Sequence, residues 1–108
     1  MVKVILISWK DIPAQVIVQR GRIHEKAVLS KRFHEAIDRA AMRAGKGSSD
    51  AYIAEWKREA SKLETDDDLK DVAANEISRL EAEYPDERLL QLIRNHGSNE
   101  PHGANTDD

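Results

Sequence analysis

An α+β fold is predicted for this chain, and three observations carry the prediction. The first nineteen residues alternate as two β-strands around a turn, a basic helix striped with alanine follows, and the second half is acidic with helical periodicity. Nowhere do these segments bring together a nucleophile, a base or a set of metal ligands.

The first strand has Val2, Val4 and Leu6 on one face and Ile5, Ile7 and Trp9 on the other, so both faces are apolar beyond Lys3. A strand of that kind lies inside a sheet or is covered on both sides. The turn segment carries Trp9, Lys10, Asp11, Ile12 and Pro13, and Pro13 suits a loop-to-strand junction because it has no N–H for a ladder bond. The second strand, Ala14 to Arg20, sets Val16 and Val18 against Gln15, Ile17 and Gln19, which predicts one drier face, and Gly21 ends it. A lone hairpin is marginal in water, so a third strand or a covering helix must complete it.

Residues 22–29 suit an extended connector or an early helical turn equally. From Ser30, a candidate N-cap, the residues Phe33, Ala36, Ile37, Ala40, Ala41 and Ala44 form a helical stripe, and Gly45 is placed to end it in the left-handed conformation. A second helix has Tyr52, Ile53 and Trp56 on one side. Lys57 to Glu64 fits a continuation of that helix or the strand the hairpin lacks. Thr65 to Asp68 supply a cap and first-turn acids for a third helix bearing Leu69, Val72, Ala73, Ile77, Leu80 and Tyr84. Pro85, Asp86 and Glu87 start a last helix that buries Leu89, Leu90 and Ile93 and stops near Gly97. The predicted organisation is one α+β domain over 1–96, its N-terminal hairpin or three-stranded antiparallel sheet packed on three to four helices, and a disordered acidic tail over 97–108.

The 108 residues are 40% hydrophobic and 34% charged, which suits one small soluble domain. Cysteine is absent, so no disulfide or thiolate zinc site is possible, and the cytoplasm is the expected compartment. The apolar run Val4 to Ile7 is too short for a membrane span and reads as neither anchor nor export signal. Charge is uneven: residues 1–47 hold ten Lys or Arg against four acids, and residues 48–96 hold seven against thirteen. Either the halves neutralise each other in the fold or the basic half meets an external anion, and the first is favoured.

The segments Ser8-Trp9-Lys10-Asp11-Ile12-Pro13-Ala14-Gln15-Val16, Arg32 to Gly45 and Asp50 to Trp56 resemble the small bacterial virulence factor proteins related to a domain of conserved virulence factor C. The resemblance covers residues 2–57 and is weakest over Glu59 to Glu83. It implies no agreed activity, ligand or catalytic residue. Through the folate- and corrinoid-linked setting of some relatives, it implies an accessory role in one-carbon, methyl-transfer metabolism as an alternative.

His24, His34, His96 and His102 are scattered, and His34 with Asp38 lacks a third ligand. Asp66, Asp67 and Asp68 lack calcium-loop spacing and suit helix capping. Gly45-Lys46-Gly47-Ser48 lacks the upstream glycine of a phosphate loop. No catalytic residue, metal ligand or cofactor is therefore assigned, and the protein is expected not to be an enzyme. Two surface features remain. Arg32, Arg39, Arg43 and Lys46 fall within roughly 60° on the first helix, a basic stripe that can hold an anionic group or pair internally with acids. Trp9, with Lys10 and Asp11, offers an aromatic contact ringed by charge, or else is core. The expected function is that of an accessory or adaptor protein binding another protein through the open sheet edge, the Trp9 turn or the arginine stripe. An anionic small molecule such as a folate tail is the alternative. Nucleic-acid binding through the basic helix comes third, since the sequence pI of about 5.8 opposes it.

Overall fold

The computed structural model describes residues 1–45 and 49–98. In chain order the elements are β1 (Val2–Trp9), β2 (Ile12–Arg20), β3 (Ile23–Val28), α1 (Lys31–Arg43), α2 (Ser49–Ala54), β4 (Trp56–Leu63), α3 (Leu69–Glu83) and α4 (Asp86–Arg94). The strands form one sheet in the order β3-β2-β1-β4, and every neighbouring pair is antiparallel. This is the expected α+β class, with four strands where the sequence suggested two or three.

Both segments left open by the sequence are strands. Residues 23–28 return from a turn at Gly21, whose φ of +62° glycine adopts without strain, and pair with β2. Residues 56–63 pair with β1 from Val2↔Leu63 to Trp9↔Trp56. The helical periodicity of that segment loses because β1 would otherwise leave a row of N–H and C=O groups unpaired at the centre of the fold. Hence β1 lies inside the sheet, as its two apolar faces predicted. β1 and β2 turn at Lys10 and Asp11 alone, with Lys10 left-handed at φ 52°, so Trp9, Ile12 and Pro13 belong to the strands rather than to the turn.

Alternation then sorts the sheet into two faces. Val4 opposes Val18 and Leu6 opposes Val16 on the helix-covered face, while Ile5 opposes Ile17 and Ile7 opposes Gln15 on the other. α3 lies over β2 and β3, α1 crosses β2, and α4 packs along α1. The core joins Val4, Val16 and Val18 to Phe33, Ala36, Ile37 and Ala40 of α1, to Leu69, Val72 and Leu80 of α3, and to α4. The alanines of α1 allow its close approach to the sheet. From α4 the core takes Leu89, Leu92 and Ile93, a stripe at three- and four-residue spacing. Leu90, expected in the core, falls off that stripe and is 37% exposed. Ile53 likewise points outward at 63% exposure, because α2 ends before a second turn can bury it.

The helix ends are tied by long-range bonds. Ser30 holds the N-cap position of α1 without capping it. Its N–H donates to Glu81 Oε2 at 2.8 Å and its hydroxyl to Oε1 at 3.0 Å, which fixes α1 to α3. Gly45 follows α1 at φ +73°, as expected. The Arg20 guanidinium donates to the carbonyls of Thr65 and Asp67 at 3.0 and 2.8 Å, which holds the passage from β4 into α3. Beyond α4, Gly97 donates to Leu92 O and its own carbonyl accepts the Asp11 N–H at 2.8 Å. Gly97 and Ser98, which the sequence places in the tail, thus belong to the described structure, and the remainder of the expected tail, 99–108, lies outside the described residues.

Candidate functional site

The β1–β2 turn is a structural joint. Trp9 is fully buried, its indole N–H donates to the Tyr52 carbonyl at 2.9 Å, and its ring stacks on Tyr52 with centroids 5.9 Å apart. Tyr52 meets Trp56 edge-on at 5.9 Å, so the three aromatics close one end of the sheet. The exposed aromatic contact expected at Trp9 is therefore corrected to core, the other reading its sequence position allowed. Asp11 accepts from Lys57 Nζ at 3.1 Å, and Lys10 donates its N–H to Glu55 O at 3.0 Å with Nζ 5.6 Å from the Trp9 ring. Trp9, Lys10 and Asp11 are brought together, but to hold β4 and Gly97 in place. A β-turn with its aromatic at the last strand position does not disclose in sequence that α2 will cover it.

The arginine stripe divides. Arg32 donates to the Glu81 carbonyl at 2.8 Å, to Glu81 Oε1 at 3.0 Å, to the Tyr84 carbonyl and to Asp86 Oδ1 at 3.2 Å, and it lies 4.7 Å over the Phe33 ring. Both of its terminal nitrogens are directed to α3 and the start of α4. Burial pushes the Glu81 carboxyl up, but the Ser30 N–H and hydroxyl and the Arg32 guanidinium outweigh it, and the carboxyl is held below its ordinary range. This is the internal neutralisation of the basic half by the acidic half, realised at one point. Arg39 and Arg43 are exposed and make no ion pair with a described residue, and Lys46 lies outside the described residues. Beside Arg32 and Arg39 a groove of about 240 Å³ separates α1 from α4, floored by Ala36, Leu89 and Ile93. Glu35 and Asp86 line it too, so its charge is mixed and does not select an anion.

Sequence reasoning missed the other side of the sheet. Among the described residues α1, α3 and α4 pack on the opposite face; on the face that carries Ile5 and Ile17, register places Trp9 and Trp56 beyond Ile7 and Arg58, where Tyr52 of α2 packs against them, and the rows farther from the turn stand outside that contact. Ile5 is only 4% exposed yet stands apart from the main core. Cross-strand register carries the row Ala60, Ile5, Ile17 and Lys26 across all four strands. One row nearer the turn are Arg58, Ile7, Gln15 and Val28; one row farther are Lys62, Lys3, Gln19 and His24. At the edge of this face β4 is exposed over its whole length apart from Trp56, on both sides of the strand. The signal existed in sequence as the second apolar face of β1. It could not be read as a surface before α1, α3 and α4 were known to lie on the other side.

Among the described residues no group of three or more His, Cys, Asp or Glu is placed to hold a metal ion, and no helix is long and apolar enough to cross a membrane.

A four-stranded antiparallel sheet with a helical layer on one face defines a small α+β protein. The chain belongs to the Virulence factor family, whose model matches residues 7–93. That match runs through Glu59 to Glu83, so β4 and α3 are part of the family domain and the resemblance seen over 2–57 is extended. No curated protein and no solved structure matches the chain.

Proposed function

We propose that this virulence factor family protein is a non-enzymatic accessory protein that binds another protein through the β4 side of its sheet. One observation carries the reading: among the described residues β4 has a partner strand on one edge only and is exposed on both faces beyond Trp56, while β1 beside it is central. A strand so placed presents unpaired N–H and C=O groups that an extended segment of a partner satisfies by adding a fifth strand. Lys57, Arg58, Glu59 and Lys62 along it discourage indiscriminate edge pairing and leave selection to charge. Arg32 being committed to Glu81 and Asp86 weighs against the folate-tail alternative.

The test is retention of a protein at fixed stoichiometry from an extract of the source cells, followed by amide hydrogen exchange on the complex. Slowed exchange over Trp56–Leu63 supports the reading. Protection confined to α1, or a rise in melting temperature with folate or a corrinoid in place of a protein partner, overturns it.

A further inference from the structure

The face of the sheet away from α1, α3 and α4 has a one-sided charge composition. Five of its strand positions are basic side chains: Lys3, His24, Lys26, Arg58 and Lys62. Its centre is apolar, with Ile5, Ile7, Ile17 and Ala60, and Gln15 and Gln19 lie between. No strand position on this face is acidic, in a chain with 20 Asp and Glu against 17 Lys and Arg. The nearest strand acids, Glu25 and Glu59, point to the opposite face by register, and Glu64 follows the end of β4. Lys3 and Lys62 are direct cross-strand partners, a like-charge pair that destabilises a sheet. None of Lys3, Lys26, Arg58 and Lys62 pairs with an acid of a described residue. The isolated fold gains nothing from this arrangement. Resting on the protein-binding reading above, we infer that this face is the docking surface for an acidic segment of the partner, whose carboxylates meet the basic rim and whose apolar side chains sit over Ile5, Ile7 and Ile17.

The layout is that of a protein interface, an apolar centre within a polar rim. Four strands and three rows span roughly 14 Å by 13 Å between outer Cα positions, which with side chains is on the order of 400 Å². That accommodates one strand or helix and is about half of one side of a standard interface. Nucleic acid fits less well, because no aromatic side chain on these rows offers a stacking surface for bases. A lipid surface also fits less well: Ile5 is buried and Ile7 and Ile17 half-buried among longer side chains, whereas insertion needs protruding apolar groups.

The experiment is zero-length carbodiimide cross-linking of the full chain with its retained partner, together with the charge-reversed triple variant Lys3→Glu, Arg58→Glu, Lys62→Glu and an α1 control, Arg39→Glu, Arg43→Glu. Amide links from Lys3, Lys26 or Lys62 to Asp or Glu of the partner are expected. The triple variant should keep its melting temperature within a few degrees and lose affinity on the order of 100-fold, with the control unchanged. Unchanged affinity of the triple variant, with exchange still slowed over Trp56–Leu63, overturns the face while leaving the β4-edge reading intact; links confined to α1 or to the helical layer overturn both. Retention abolished by nuclease, or flotation of the wild-type chain with phosphatidylglycerol vesicles but no captured protein, overturns both.

Discussion

The two faces of this sheet are built from the same strands, yet they do different things. On the covered face Val4, Val16 and Val18 are locked beneath α1 and α3 into a continuous core. On the bare face Ile5, Ile7 and Ile17 form a small apolar centre with no second layer, surrounded by cations. The main core therefore belongs to one side, and the proposed recognition surface to the other. Alternation along a strand makes that separation clean, since neighbouring residues serve opposite faces.

The largest expected effect lies at the turn end of the sheet, where Trp9 is closed over by Tyr52 and Gly97. Trp9→Ala removes the ring that joins β1, α2 and Gly97 and should cost about 3–5 kcal/mol in chemical denaturation. A smaller loss is expected for Gly97→Ala. The added Cβ would stand 2.7 Å from Trp9 Cζ3 at a φ of +95°, and a penalty of about 1–3 kcal/mol should appear as a lowered melting temperature.

Electrostatic support comes next. The Glu81 carboxyl is held below its ordinary value, so its stabilising contribution is complete above the unfolded-state value and is lost as pH falls through the folded one. Glu81→Gln should accordingly be destabilised relative to wild type at pH 7, by about 1–3 kcal/mol, and the gap should close as the pH is lowered below about 4. A gap that persists unchanged at pH 3 would mean that the Arg32–Glu81–Ser30 cluster does not link α1 to α3 through that charge.

The smallest expected effect sharpens the comparison most. Val16→Ala and Ile17→Ala change adjacent residues of β2 on opposite faces. The first should lose about 2 kcal/mol and the second under about 1 kcal/mol, although it removes the larger side chain. Equal losses would show that the bare face is also part of the load on folding. Lys3→Gln should go the other way and be neutral or slightly stabilising, because it relieves the opposition to Lys62.

How much of this was legible before folding follows from the range of each interaction. The hairpin, the α1 stripe ending at Gly45 and the span of α3 rest on neighbours within a few positions, and all three stand where the periodicity put them. β3 and β4 were ambiguous because their apolar content is low and their conformation is imposed by a partner strand elsewhere in the chain: Val16↔Ala27 for one, Leu6↔Glu59 for the other. Of the site, the arginine stripe was visible as a spacing. That Arg32 turns inward to Glu81, 49 positions away, was not, because a row of arginines reads alike whether its partner is in the chain or outside it.

The sequence by itself determined the class of fold, the two-sidedness of β1 and the separation of basic from acidic segments, since these are set by residue type and local period. Only the tertiary structure decided which apolar face receives helices and which stays bare, because that depends on where α1, α3 and α4 dock. Once they share one side and α2 closes the turn end over Trp9, Arg32 becomes a brace, and Lys3, Lys26, Arg58 and Lys62, drawn from three strands up to 59 positions apart, become one surface.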